Sequence, residues 1–347
     1  DDACFAFIST SNLVCFMSSV NALGLSLFAK ICKENQRADV LLCPLSLSSC
    51  LSMVADGTTE GSYLYLYLKE LLGSSSPTDQ SIDMDVANSA WVKGVIKSDY
   101  IASIKTKFGA DVMTLEAADP QPINQWLEGK TQGRITSLFD MLDPLTVMVL
   151  VNTVFFKGSW KDKFDASKTI DSVFRPFDGE PIPCNLMYKE NKKAMYAENE
   201  EVQAVRLLYD KGDLSATILL PTVEGPTALE KAIASLTPQT WAILNDQLNR
   251  NMQSVNLHLP RFKLEFGMEL SQAFKDLGLK QAFEGKGEFL RMSDDPDVHI
   301  SLVMHKATVE INESGTVASA ATGAVVKTRG LNMPTIMKID RPFLFMI

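Results

Sequence analysis

Residues 145–156 read Leu-Thr-Val-Met-Val-Leu-Val-Asn-Thr-Val-Phe-Phe, the most hydrophobic stretch of the chain. It is rich in β-branched and aromatic residues. The apolar positions do not alternate with polar ones, so both faces of this strand must be covered, as in the middle of a sheet packed on two sides. Asn152 interrupts the apolar run. A buried amide needs hydrogen-bond partners, so Asn152 marks a polar cluster inside the fold.

Upstream of this strand the pattern is mainly helical. Residues 21–34 place Leu23, Leu27, Ala29 and Ile31 near one stripe. A short apolar strand over 40–43 is stopped by Pro44, and Ser46 or Ser48 is expected to cap a buried helix over 48–55. Gly57 breaks that helix, and 61–72 forms another, ended by Gly73. Residues 74–77 are a surface loop. Then come a strand over 83–93, a helix over 99–108, a short strand over 112–115 and a helix over 122–132 carrying Trp126.

Downstream, strands dominate. They are expected over 173–177, 193–197, 203–208, 215–220, 299–313 and 342–347. One more, over 255–266, contains Pro260 and belongs at an edge or bulge. Helices are expected over 227–234, 238–248 and 268–277. Early helices and late strands, without a βαβ period or an internal repeat, indicate an α+β fold with several sheets.

The composition is that of a globular protein large enough for a substantial core: 347 residues, 46% of them hydrophobic. A net charge of −9 leaves no broad basic field, so a nucleic-acid partner is not expected. No apolar run is long enough to span a bilayer. Residues 1–17 form an N-terminal extension that starts with Asp1-Asp2 and lacks the basic start of a signal peptide. The cysteines at 4, 15, 32, 43, 50 and 184 show no Cys-x-x-Cys spacing and no pairing with histidine. They are read as reduced, structural thiols, and neither metal nor cofactor is expected. With three histidines, no Gly-x-Ser-x-Gly and no His-Glu-x-x-His, nothing points to a hydrolase; Gly285-Lys286-Gly287 is too short for a phosphate loop.

The segment 313–330 is unusual. It runs Glu-Ser-Gly-Thr-Val-Ala-Ser-Ala-Ala-Thr-Gly-Ala-Val-Val-Lys-Thr-Arg-Gly. Read with period 2, Thr316, Ala318, Ala320, Thr322, Ala324 and Val326 share a face that is small and largely apolar. Such a segment brings no bulk to be accommodated if it slides between two strands already in place.

Five motifs, in order, give the chain its resemblance to a known family. They are Pro44-Leu-Ser-Leu-Ser-Ser49, Asn152-Thr-Val-Phe-Phe-Lys-Gly-Ser-Trp160, Leu259-Pro-Arg-Phe262, His305-Lys-Ala-Thr-Val-Glu-Ile-Asn-Glu-Ser-Gly-Thr316 and Asp340-Arg-Pro-Phe-Leu-Phe345. The chain resembles the serpins over nearly all its length. The resemblance implies one serpin domain over 1–347, with three β-sheets, eight or nine helices and an exposed reactive-centre loop at 313–332.

Three departures from the family pattern stand out. Residues 73–82 leave no room for the extra helix on which many serpins bind heparin, so heparin activation is not expected. The strand that usually follows the last motif is missing from this sequence. Cys43 stands where the family usually has Ser, which weakens one hydrogen bond of the usual polar cluster.

The resemblance also implies a mechanism. A target serine protease cleaves the loop and forms an acyl-enzyme; the freed loop then inserts as a new central strand and the protease is trapped. On the family's spacing from Glu313 the scissile bond is Arg329–Gly330. An arginine there selects trypsin-like proteases, and Lys327, the alternative specificity residue, selects the same class. The hinge is Gly315, Thr316, Val317, Ala318, Ser319, Ala320, Ala321 and Thr322. Glu313, Arg261 and Trp160 are expected to guard the top of the opening sheet. Ser46, Asn152 and His305 are expected to form the polar cluster where its strands part, while His258 and His299 are ordinary structural histidines. The alternative is a non-inhibitory carrier or chaperone whose loop is only a substrate; such members tend to have bulky, charged or proline residues in the hinge. A monomer is expected. Met17-Ser-Ser-Val-Asn21 resembles the start of intracellular members, but an arginine-directed loop fits an extracellular or cell-surface setting better. The one glycosylation triplet, at Asn312, sits beside the hinge and is expected to be unmodified.

Overall fold

The computed structural model describes residues 4–6, 17–34, 39–72, 84–156, 158–177, 180–210, 214–225, 227–315 and 333–347. In chain order the first elements are β1 (Cys4–Ala6), α1 (Met17–Glu34), β2 (Val40–Leu42), α2 (Pro44–Gly57), α3 (Tyr63–Leu72), β3 (Met84–Val92), α4 (Ser98–Phe108), β4 (Asp111–Thr114), α5 (Gln121–Lys130) and β5 (Met148–Phe156). Then follow β6 (Ile170–Phe174), β7 (Ile182–Glu198), β8 (Val202–Leu208), β9 (Ser215–Pro221), α6 (Ala228–Ser235), α7 (Pro238–Arg250), β10 (Met252–Pro260) and β11 (Phe262–Glu269). The last are α8 (Ser271–Phe274), β12 (Leu302–Ile311), β13 (Thr335–Lys338) and β14 (Leu344–Met346). The fold is α+β, with three sheets and eight α-helices among the described residues.

One sheet has five strands in the order β11-β12-β5-β3-β4. Its middle strand is the stretch that opened the sequence reading, and all nine residues of β5 are buried. Met148, Leu150, Val154 and Phe156 join the main core, with α1 and α2. Val149 and Val151 join a second core with Trp91, Leu115, Ile123, Phe139 and Leu142. Each such side chain contributes roughly 1.5–3 kcal/mol of burial, so this strand is fixed from both faces.

The seven-stranded sheet is built around β7, which is far longer than its 193–197 segment suggested. Its first five residues pair with β6 and its last four with β8, while β10 runs alongside from Leu186 to Met195. The polar run Lys189–Lys193 in its middle hid it, since Glu190, Lys192 and Lys193 face solvent. The third sheet is the parallel pair β1-β2.

Two expectations are corrected. The helix after Pro44 begins at Pro44 itself, so Ser46 and Ser48 lie inside it and cap nothing. Proline's fixed φ suits the first helical position, and both hydroxyls donate backward to carbonyls three residues earlier, Cys43 and Leu45. Residues 255–266 are also not one strand. Pro260 ends β10 in the seven-stranded sheet, and β11 starts at Phe262 in the five-stranded one. Proline has no N–H for a further ladder bond, so the chain changes sheets there and leaves Arg261 on the corner. No helix among the described residues is long and apolar enough to cross a membrane.

Candidate functional site

In the five-stranded sheet β12 pairs directly and in parallel with β5, from Leu302 opposite Val149 to Thr308 opposite Phe155. His305 is opposite Asn152, and on the other side of β5 Asn152 is opposite Asn88. The pairing stops at Thr308, three residues before β12 ends and one before β5 ends, so β12 runs on past the top of β5.

Asn152 is the centre of the polar cluster below this seam. Its Oδ1 accepts from Ser46 Oγ at 2.9 Å and from His305 Nδ1 at 2.6 Å. Its Nδ2 donates to Asn88 Oδ1 at 2.6 Å and to the Ser46 carbonyl at 3.2 Å. Asn88 in turn donates to Ser49 Oγ at 3.3 Å. The structure therefore brings Ser46, Asn152 and His305 together. Cys43 takes part through its main chain, as its carbonyl accepts from Ser46 Oγ at 3.0 Å.

With Nδ1 donating to Asn152, the neutral His305 ring has an Nε2 that has no donor to accept from. Complete burial pushes the His305 pKa down to about 4, while the nearby Leu41 carbonyl pulls the other way. His305 is thus neutral at physiological pH.

A second group lies at the top of the sheet. Arg261 Nε donates to both Glu313 oxygens at 2.7 Å, and Thr169 Oγ1 donates to Oε1 at 2.5 Å. Burial pushes the Glu313 carboxyl up, but the bonds from Arg261 and Thr169 outweigh it and hold it below its usual value. Trp160 is buried and stacks on Tyr209 with centroids 4.6 Å apart. Its Nε1 donates to the Asn312 carbonyl at 3.0 Å, and its main-chain N–H donates to the Ser314 carbonyl at 2.9 Å. Phe164 N–H donates to the Glu313 carbonyl at 2.9 Å. Every residue from Asn312 to Ser314 is therefore tied to residues 158–164 or to Arg261.

Gly315 closes this latch. It pairs with Asn312 and Ser159, and its φ is +131°. A Cβ there would lie 2.1 Å from the Gly158 carbonyl oxygen and 2.6 Å from Ser159 Cα. Asn312 Oδ1 is engaged by the Ser314 N–H at 3.0 Å. Thr316, Val317, Ala318, Ser319, Ala320, Ala321, Thr322, Lys327, Arg329 and Gly330 lie outside the described residues, as do 73–83. His258 lies on β10 against Tyr188, and the His299 ring bonds the Asp297 carbonyl; neither joins the cluster.

Asn88 and Thr169 were not anticipated. Asn88 gives the same signal as Asn152, an amide inside an apolar strand. Thr169 sits in an ordinary polar loop, and nothing in its neighbourhood marks it.

Residues 18–347 match the family model described as serpin (serine protease inhibitor). The chain belongs to the serpin family. It is 31% identical over 360 residues to the leukocyte elastase inhibitor of Homo sapiens, covering 95% of both chains. It is 39% identical over 259 residues to Serpin B10 of Rhinolophus ferrumequinum, covering 72% of this chain and 64% of that relative. The Arabidopsis serpin AtSerpin1, solved in its native stressed conformation, superposes with a TM-score of 0.81 at 25% identity, covering 97% of this serpin and 95% of that chain. Human thyroxine-binding globulin has the same fold, with a TM-score of 0.81 at 23% identity over 94% of this serpin and 93% of that chain.

Two predictions follow from the geometry. His305 titrates near 6.5 when unfolded and near 4 when folded, so the unfolded state binds more protons between those values. Stability contributed by neutral His305 is complete above about pH 6.5 and is lost as the pH falls toward 4, on the order of 3 kcal/mol in all. Urea unfolding of the wild type and His305→Gln at pH 7 and pH 4.5 measures this: the wild type should lose more stability on acidification than the variant. Gly315→Ala cannot keep the latch closed, and should destabilise the protein by about 2–3 kcal/mol in the same assay.

Proposed function

We propose that this serpin is a suicide inhibitor of trypsin-like serine proteases, acting by acyl-enzyme trapping and loop insertion. The observation that carries the reading is the seam. Two parallel strands, β12 and β5, lie side by side, and the chain turns at Gly315 directly after β12. A segment folded back from that turn would run antiparallel to both strands and pair with each. Residues 316–326 have the small, uncharged, proline-free composition that such an insertion needs.

The magnitudes are close. Ordering about a dozen residues costs roughly 1–2 kcal/mol each. A strand with partners on both sides makes on the order of twenty ladder bonds, each contributing about 1 kcal/mol net. These terms nearly cancel, so burial of the inserted face and release of strain decide the outcome. A single charge on that face would reverse it.

In this reading Arg329 enters the acidic specificity pocket of the protease and Arg329–Gly330 is the reactive bond, with Lys327 as the alternative. Glu313, Arg261 and Trp160 hold the top of the sheet until cleavage, and Ser46, Asn152 and His305 govern the parting of its strands. Name similarity to an elastase inhibitor supports inhibition as a class and leaves the arginine to set specificity. An arginine-directed loop also supports an extracellular or cell-surface target. The carrier reading is weaker because the hinge is Ala/Ser/Thr throughout.

Mixed with trypsin, the protein should give a covalent complex that survives a denaturing gel. Thr316→Arg should give only cleaved chain, with little or no complex. Equal complex formation by the variant would rule out insertion, and cleavage of the wild type without any complex would favour the carrier. Chain nicked at Arg329 should melt well above the intact protein, by calorimetry.

A further inference from the structure

We propose that the groove at the foot of the seam binds a long-chain carboxylate, and that the bound chain ties β5 to β12 at the end opposite Gly315. The groove has a volume of about 380 Å³, within the range of about 300–1,000 Å³ usual for ligand pockets. Its apolar walls are Met141, Leu142, Leu145, Phe283, Ile300 and Leu302. They come from the segment leading into β5, the segment leading into β12, and the turns after α8. Leu142 belongs to the second core, with Leu302 packed against it, and Ile300 belongs to the main core. The groove therefore opens where the two cores meet the surface. Met141 and Leu145, on its rim, are both 81% exposed. Single exposed apolar side chains are ordinary, but two large ones on one apolar groove mark a surface that a ligand covers.

Charge sets the class of occupant. Lys275 stands at the rim, its ammonium 4.8 Å from the centroid of the Phe283 ring. It has no ion pair among the described residues, and the neighbouring Asp276 is taken by Lys30. The carboxylate among the lining residues, Asp143, is turned into its own loop, where Oδ1 accepts from the Leu145 N–H at 2.8 Å. His299 Nδ1 is engaged by the Asp297 carbonyl at 2.7 Å. An unpaired ammonium beside apolar walls is complementary to a carboxylate carried on an apolar tail.

The position of the groove gives binding a consequence. Val147 N–H donates to Ser301 Oγ, and Ser301 N–H donates to the Met148 carbonyl, both at 2.9 Å. These bonds join the two lead-in segments just below the first ladder pair, Leu302 opposite Val149. A tail lying against Leu145 on one side and against Ile300 and Leu302 on the other makes contacts that last only while the strands stay together. A ligand that prefers the closed seam stabilises it by mass action. This consequence rests on the insertion reading; the binding itself does not.

Calorimetric titration with dodecanoate, kept below its micelle concentration, tests the site on the intact chain. Dodecanoate should bind at about one per chain, and octanoate, four methylenes shorter, at least tenfold more weakly. Lys275→Glu and Leu145→Asp should each weaken dodecanoate at least tenfold. Should either variant fold poorly, Met141→Asp, at an exposed rim position, takes its place. Hydrogen exchange should slow with dodecanoate at residues 145–148 and 299–302. With trypsin, the loaded protein should form its covalent complex more slowly than the free protein, and Lys275→Glu should not respond to dodecanoate. The site is overturned if dodecanoate does not bind, if the variants bind it as the wild type does, or if a different region is protected. Unchanged complex formation by the loaded wild type overturns the tie across the seam. If the free wild type forms no complex at all, the insertion reading fails while the titration still decides on the site.

Discussion

The seam between β12 and β5 is the constraint around which the molecule is arranged. Two strands from distant parts of the chain meet in parallel over seven register pairs, in the middle of a sheet whose other pairs are formed closer to home. Parallel ladders are slightly weaker per residue than antiparallel ones, and this one also stops short of the top of β12. Underneath it are two buried atoms without hydrogen-bond partners among the described residues, His305 Nε2 and Thr308 Oγ1. Each such group costs about 1–3 kcal/mol. Both belong to β12. The strand that leads to Gly315 therefore carries part of the molecule's unmet hydrogen bonding, as β10 does with Asn256 Oδ1 and His258 Nδ1.

The polar cluster is not shared equally between the two sides. Asn152 bonds Ser46 on α2 and Asn88 on β3, so three of its four hydrogen bonds remain when β12 leaves. Only the His305 bond crosses the seam. In the proposed insertion the block of β5, β3 and α2 acts as the floor, and β12 with β11 is the part that separates. The change of sheet at Pro260 serves the same division: it places Arg261 on the corner next to β11, within reach of Glu313. The Glu313–Arg261 pair thus ties the end of β12 to the start of β11, elements that lie on the same side of the seam. What joins the end of β12 to the other side at the top is the main-chain bonds from Trp160 and Phe164 to Ser314 and Glu313, together with the side-chain bonds from Trp160 Nε1 to Asn312 and from Thr169 to Glu313.

Much of this was legible in the sequence where side-chain chemistry conflicts with its surroundings. Asn152 inside an apolar strand pointed to a cluster, and the uninterrupted hydrophobicity of 145–156 pointed to cover on both faces. What stayed hidden is of two kinds. Register and strand length depend on partners far away in sequence: the middle of β7 looks like a polar loop because Glu190, Lys192 and Lys193 meet solvent, and the two sheets joined at Pro260 are set by the separate partners of β10 and β11. The Thr169 contact depends on where two loops meet. Ser46 misled for a local reason, since a serine just after proline suits a cap on statistical grounds, yet proline at the first helical position moved the helix start ahead of it.

The order in which the seam opens can be argued from these contacts. In the proposed insertion a strand enters at the top, where β12 runs on beyond the end of β5. Its first steps must release the bonds that hold residues 312–314 to Trp160 and Phe164, but no ladder bond to β5, because residues Val309–Ile311 have no partner there. Along the ladder itself, resistance begins at Thr308 and is highest at His305, where a ladder bond and the His305–Asn152 bond must be given up together. Breaking the remaining ladder costs on the order of 6 kcal/mol at about 1 kcal/mol per bond. That is comparable with the whole stability of an ordinary domain, roughly 5–15 kcal/mol. The intact seam is therefore safe against thermal opening but not against a strand that replaces each lost bond with two. On the proposed mechanism the gate stands at His305 opposite Asn152, midway down, and cutting the chain beyond Gly315 is the step that frees a strand to reach that depth.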